Sequence, residues 1–253
     1  MTQEQSNIDD AFTATYAVPM HCMGCFNSVK DAVSVLPGFA SISPDLQNQI
    51  VTITGSTAPS AVVRSIQAIG KDAIVRGTGA PNSAAVAILE VFRKNVAFSS
   101  AHSVKGLARI ISVSPTKSLF DITLSGVPAG TYYTSIRTGG CLVDGAQSAG
   151  GEYQELGSIV VEDNCAQPGA PPAPLDGEIP NTFGQSYVTR NIKISDIIGR
   201  SIAVSKTPVP DEDSVIGVIA RSAGVWQNDK TVCSCSGKTV WEERKDAVVK
   251  GVL

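Results

Sequence analysis

Histidine is nearly missing from this chain: its 253 residues include only His21 and His102. A metal centre built from several imidazoles is therefore excluded, whatever the fold. Charge is also sparse, 17% of residues with a net of −3. No global basic surface argues for nucleic acid or anionic lipid, so a protein partner has to be selected by local surface. No apolar run approaches the roughly 18 residues of a membrane helix. The opening MTQEQSNIDD is polar and acidic, where a secretory leader needs a basic and then an apolar stretch. The expectation is a cytoplasmic chain without stable membrane insertion. Six cysteines in a chain this long make no disulfide framework; in a reducing compartment, clustered thiols bind metal or do redox chemistry.

Four of the six are clustered, as Cys22/Cys25 and Cys233/Cys235, in different parts of a three-segment chain. In FTATYAV, Phe12, Ala14, Tyr16 and Val18 alternate with polar positions, the period of a half-buried strand. After the cysteines, Phe26, Val29, Val33 and Leu36 recur at helical spacing until Pro37-Gly38. FASISPDL and QIVTITG read as two strands, TAPSAVVRSIQAIG as a helix and DAIVRG as a last strand. The order βαββαβ predicts a ferredoxin-like α+β domain over 12–77. GTGAPNS marks a boundary, after which GLARIISVS, SLFDITLSGV, YYTSIRT, SIVVED, SIAVSKT and VIGVIARS predict an all-β domain over 82–226. The five-proline run from Cys165 to Asn181 reads as loop. The tail, 227–253, is polar and largely irregular apart from a helical turn in TVWEERKDAVV, and is too short to bury a core alone.

Cys22 falls at a strand end and Cys25 at the opening of the first helix, where free N–H groups and the helix dipole favour thiolate. Taken alone, a CxxC is shared by redox proteins and zinc ribbons. Two thiolates with no third or fourth Cys or His at ligand spacing suit low-coordinate Cu(I), whereas structural zinc takes four ligands. By strand alternation His21 faces away from Cys22 and reads as a loop residue. In Cys233-Ser234-Cys235 the two side chains of an extended segment point the same way, able to share one soft ion. A disulfide across so short a spacing is strained and reactive in exchange. Cys141 and Cys165 match no motif, and Trp226 and Trp241 bracket the tail.

Met20-His21-Cys22-Met23-Gly24-Cys25 within the βαββαβ pattern resembles the M-x-C-x-x-C motif of heavy-metal-associated domains. That resemblance implies Cu(I) held by Cys22 and Cys25, Met20 packed beneath the loop, and Lys71 offsetting the charge of the bis-thiolate complex. The middle segment resembles copper/zinc superoxide dismutase through GVPAGTYYTSIR, GAQSAGGEY, IGRSIAVS and GVIARSAG. It departs where the chemistry would be. On that alignment Ser135, Arg137 and Ser205 stand at copper-histidine positions, Glu152 at the bridging histidine, Ala146 and Ile216 at the disulfide cysteines and Asp213 at the anion-guiding arginine. What persists is Ile198-Gly199-Arg200 and Gly217-Val218-Ile219-Ala220, segments of the enzyme's dimer face, implying a docking surface for a dismutase subunit. The full order of segments resembles the copper chaperones for superoxide dismutase in their fungal form. It implies Cu(I) rather than zinc as cargo, and a heterodimer with copper/zinc superoxide dismutase. Cys233 and Cys235 would insert copper and exchange disulfides. Besides the cytoplasm, the resemblance suggests the nucleus and the mitochondrial intermembrane space, and it leaves a homodimer at rest open. Three alternatives stand beside it: an active dismutase with a fused delivery domain, a thiol-disulfide oxidoreductase, and a copper buffer without a client.

Overall fold

The computed structural model describes residues 10–92, 104–163, 181–228, 230–232 and 236–249. The first unit runs β1 (Phe12–Ala17), α1 (Met23–Ser34), β2 (Phe39–Asp45), β3 (Ile50–Gly55), α2 (Pro59–Ala68) and β4 (Ile74–Thr78). Its sheet is antiparallel in the order β2-β3-β1-β4, the ferredoxin-like arrangement expected. Apolar spacing dictates the packing. Phe12, Ala14, Tyr16 and Val18 from one face of β1 meet Phe26, Val29 and Val33 of α1 and Val62, Val63 and Ile66 of α2. Pro59, with its φ pre-set, starts α2.

The opposite face of β1 departs from the expected half-burial, since Thr15 and Ala17 are also buried. The reason lies far along the chain: Thr15 and Ala17 line one cavity together with Trp226, Asn228, Thr231, Val240 and Trp241 of the tail. Trp241 is half-buried there, whereas Trp226 remains 63% exposed.

The second unit is an antiparallel barrel of eight strands: β5 (Ala84–Val91), β6 (Val104–Ser114), β7 (Lys117–Ser125), β8 (Gly130–Arg137), β9 (Glu152–Asp163), β10 (Thr182–Arg190), β11 (Ser201–Ser205) and β12 (Val215–Val218), with the single-turn helix α3 (Ile194–Ile197) between β10 and β11. Around the barrel the order is β5-β6-β7-β10-β9-β8-β11-β12, and β12 closes it by pairing with β5. The steps from β7 to β8 and from β10 to β11 each cross over two strands, as Greek-key connections do. Ile110, Phe120, Ile122, Leu124, Ile136, Leu156, Ile159 and Ile202 fill the interior.

Two strands, β5 and β10, were not among those expected. SAAVAILEVF is as compatible with a helix as with a strand, and β10 mixes polar and apolar residues just after the proline-rich run. The proline-rich run itself lies outside the described residues apart from Asn181. VIGVIARS is not one strand: β12 ends at Val218 and β13 (Ala220–Arg221) resumes against the other end of β5. Between them the Ile219 amide donates to the Arg200 carbonyl while its own carbonyl accepts from Gly199. The tail is more regular than expected. The backbone amide of Thr239 donates to Glu242 and the Glu242 amide donates to Thr239 Oγ1, a capping box that starts the ten-residue helix α4 (Val240–Val249).

The two units share a core. Ile111 of β6 and Leu119 of β7, both fully buried, point out of the barrel into the cluster around Tyr16 and Val62; each contributes about 2 kcal/mol of burial. Beside them Asp121 is inaccessible to solvent. It accepts hydrogen bonds from the Ser60 amide at 2.8 Å, the Ser60 hydroxyl at 2.5 Å and Gln185 Nε2 at 3.2 Å. Tyr187 donates to the Ser56 carbonyl, and Lys117 pairs with Asp10 at 2.8 Å.

Candidate metal centre

Cys22 is the N-cap of α1, in extended backbone at φ −158° and ψ 168°. Cys25 is the third helical residue, because the helix opens at Met23, two residues earlier than the sequence suggested. The turn puts the two sulfurs 3.8 Å apart at a helix end carrying no acidic residue in its first turn. Burial of the loop from below is complete: Met20 is fully inaccessible and belongs to the core with Phe26 and Val29. Cys22 itself is exposed and Cys25 half-buried, so an approaching partner can reach the sulfurs.

The Cys25 thiol is held below its ordinary pKa, first by the backbone amide of His21, then by the Cys22 side chain, with Lys71 and the Cys22 amide adding to it against a small desolvation penalty. His21 is exposed and meets Gln49 Nε2 through Nδ1 at 3.3 Å, as a loop residue outside the dithiol would. The first unit thus presents two close, solvent-facing sulfurs, with Cys25 biased toward thiolate, over an apolar floor; sulfurs of that kind are soft donors. One consequence concerns Lys71. Its ammonium favours the Cys25 thiolate, so Lys71→Ala should raise the pH midpoint of Cys25 alkylation by a few tenths of a unit, as one screened surface charge would. Rates of iodoacetamide labelling of the metal-free chain against pH, with Cys25 followed by peptide mass, measure this. An unchanged midpoint removes Lys71 from the site.

Among the described residues no group of three or more His, Cys, Asp or Glu comes together to hold a metal. The barrel positions aligned above with copper histidines hold other chemistry. Ser135 and Arg137 on β8 and Ser205 on β11 are buried. The Arg137 guanidinium donates to the Gly150 carbonyl at 2.7 Å and to Ser135 Oγ at 3.4 Å, and Glu152 stabilises its charge. A buried, hydrogen-bonded guanidinium thus occupies the β8 position that the resemblance aligned with a copper histidine. Ala146 and Ile216 are packed together in a small apolar cluster.

The segments 198–200 and 217–220 come together along one barrel edge. Gly199 takes φ +81°, a conformation glycine adopts freely, and Gly140 lies against both its carbonyl and Val218. Gly217 allows β5 to close on β12, since a Cβ there would collide with the Ile88 carbonyl. Val218 and Ala220 are exposed, while Gly217 and Ile219 are buried and support the face from behind. The sequence reading missed Ile88, 54% exposed beside Gly217, because β5 itself was missed. It missed Tyr153 too, over whose ring the Arg200 guanidinium sits at 4.0 Å. Cys141 is an exposed free thiol. Cys165, Cys233 and Cys235 lie outside the described residues. The residues flanking the last two are fixed: Val232 bridges to Thr239, the Val240 amide donates to Thr231, and Arg76 of β4 donates to the carbonyls of Asn228 and Lys230.

No helix among the described residues is long and apolar enough to cross a membrane. The heavy-metal-associated domain family matches residues 15–72. A Debaryomyces hansenii protein described as a superoxide dismutase 1 copper chaperone is 45% identical, over 96% of this chain and 98% of its own. A Saccharomyces cerevisiae protein of the same description is 41% identical over the same shares. A Homo sapiens protein described as a copper chaperone for superoxide dismutase is 26% identical, over 96% of this chain and 93% of its own.

Proposed function

The chain belongs to the copper chaperones for superoxide dismutase, and from that premise we propose that it binds Cu(I) at Cys22 and Cys25, docks on copper/zinc superoxide dismutase and delivers the ion. The observation that carries this reading is the pair of reachable sulfurs 3.8 Å apart at the start of α1. Delivery is ligand exchange: each new Cu–S bond forms as an old one breaks, and no electron is transferred. The protein is a carrier, not an enzyme. Residues 12–77 acquire the ion, 82–226 dock, and 227–253 present Cys233 and Cys235 at the point of transfer. Assistance with the target's disulfide extends this reading. A Cys233–Cys235 disulfide exchanges with the target's dithiol through a mixed disulfide: the tail's S–S bond breaks as the target's forms, two electrons and two protons pass from target to tail, and the tail leaves as a dithiol. Zinc is not the cargo, since two thiolates supply half of a structural zinc shell. The work is placed in the cytoplasm, with the nucleus and mitochondrial intermembrane space as further compartments.

Docking uses Ile198, Gly199, Arg200, Gly217, Val218, Ile219 and Ala220, together with Ile88. A heterodimer formed there takes the place of any homodimer at rest. The test is activation of metal-free dismutase by the Cu(I)-loaded chain in the presence of a copper chelator, comparing wild type with Val218→Glu. Val218 is exposed in the single chain, so the variant should melt within a degree or two of wild type, while burying an unpaired carboxylate should weaken the heterodimer at least about tenfold. Activation should fall with heterodimer formation measured by light scattering. Activation by the wild type that persists without any heterodimer would defeat the reading.

A further inference from the structure

Arg200 is held more firmly than a half-buried surface arginine needs to be. Its amide donates to the Ile197 carbonyl at 3.0 Å and its carbonyl accepts from Ile219 at 2.8 Å, which fixes the backbone. The side chain is then held from three sides. Nε donates to the Asp196 carbonyl of α3 at 2.9 Å, Nη1 donates to the Thr138 carbonyl just past β8, and the guanidinium carbon lies 4.0 Å from the centre of the Tyr153 ring on β9. These contacts use two of the five N–H donors of a guanidinium and one of its faces. All are with neutral groups. The Asp196 carboxylate accepts from Ser195, and no ion pair among the described residues includes Arg200. Gly140 lies against Gly199 and Val218, and Thr138 is two residues before it, so Arg200 carries that edge of the barrel from β12 across the end of β8 to β9. Tyr153 is 42% exposed there and belongs to none of the buried apolar clusters among the described residues. Core packing does not explain the ring.

Building on the docking reading above, we propose that Tyr153 is a positioning residue of that face: its ring fixes the plane of the Arg200 guanidinium so that the remaining donors meet an acceptor oxygen of the dismutase subunit. A guanidinium stacked on an aromatic ring keeps its donor edge open, because stacking uses the flat face and the hydrogen bonds lie in the plane. Freezing a long side chain opposes association, and here the fold has frozen it before the partner arrives. Tyrosine and arginine are also the side chains that interfaces concentrate, and exposed Val218 and Ile88 supply apolar surface alongside. A side-chain carboxylate and a main-chain carbonyl present the same acceptor, and salt dependence tells them apart.

The experiment measures heterodimer dissociation constants of the full, reduced, metal-free chain with metal-free dismutase, by light scattering, at about 50 and about 300 mM salt. Tyr153→Leu should weaken the heterodimer about fivefold while melting within about 2 °C of wild type. Tyr153→Phe keeps the ring and should stay within about twofold, as should Tyr133→Leu, which changes an exposed tyrosine of β8 outside the docking segments. Arg200→Gln should weaken binding about tenfold, and Tyr153→Leu/Arg200→Gln no further, because the ring acts through the guanidinium. A steeper loss of affinity with salt in wild type than in Arg200→Gln identifies a carboxylate and parallel losses a carbonyl; both support the proposal. Binding by Tyr153→Leu equal to wild type, a loss in Tyr153→Phe as large as in Tyr153→Leu, or full additivity in the double variant overturns it. Wild type forming no heterodimer would defeat the docking reading and this role with it, whereas Val218→Glu weakening the heterodimer beside an unaffected Tyr153→Leu overturns the positioning role alone.

Discussion

Cys233→Ser/Cys235→Ser should abolish activation of the dismutase and leave heterodimer formation intact. The two effects separate because they use different parts of the chain. On the proposed reading, docking draws on the barrel edge at Ile198–Arg200 and Gly217–Ala220, which the tail cysteines do not build. Transfer needs thiolates able to take Cu(I) from one pair of sulfurs and release it to the target, and a serine hydroxyl at neutral pH is neither deprotonated nor soft. Loss of supporting contacts around a metal ligand costs 10–100-fold, and removing the ligands themselves should lower activation by more than about 100-fold. The substitution is small, and the flanks are secured without the cysteines, by the Val232–Thr239 bridge, the Thr239/Glu242 capping box and the Arg76 contacts. The variant should therefore melt like wild type. Cys22→Ser/Cys25→Ser supplies the contrast: it loses the loading site, so activation should drop when copper is scarce and recover as free Cu(I) is raised. The measurements are dismutase activity after incubation with each chain at two copper levels, and heterodimer mass by light scattering. Full activation by the tail variant would assign delivery to Cys22 and Cys25 alone.

How far the sequence discloses this molecule depends on whether a signal is local. The first unit was readable because each element carries its own period: Phe12, Ala14 and Tyr16 at two, then Phe26, Val29 and Val33 at helical spacing. The closeness of the two sulfurs was readable because both cysteines and Met20 fall within six residues. β5 was not, because Ala, Leu and Glu in SAAVAILEVF satisfy a helix as well as a strand, and barrel closure against β12 decides between them. The tail's role in covering Thr15 and Ala17 had no sequence signal, since it depends on residues more than 200 positions apart meeting on the open face of a sheet. Of the proposed docking face, Gly199 and Val218 were suggested by resemblance, while Ile88 beside them required the β5–β12 pairing. The stacking of Arg200 on Tyr153 left no trace in the sequence, for the two are far apart in the chain and meet only once the barrel is folded.

Asp121→Ala is expected to be the most damaging single substitution at the seam, lowering stability by about 3–5 kcal/mol, because it removes one partner from a buried charged network and strands the others. The Ser60 amide and hydroxyl and the Gln185 amide lose their acceptor, and Arg109 loses the nearest negative charge offsetting its own. For a chain of this size the melting midpoint should fall by roughly 10 °C. Asp121→Asn keeps an oxygen acceptor but loses the charge and should fall between. The two units share the cluster of Tyr16, Val62, Ile111 and Leu119. Because of that shared cluster, the loss should also appear as weakened coupling between α2 and β7, read as faster amide exchange at Ser60 and Asp121 than in the barrel interior. The decisive comparison is a double substitution. If the damage comes chiefly from an uncompensated guanidinium, Asp121→Ala/Arg109→Leu should be more stable than Asp121→Ala alone, with a coupling energy above about 1 kcal/mol. If the stranded Ser60 and Gln185 groups dominate, the second change should bring no recovery.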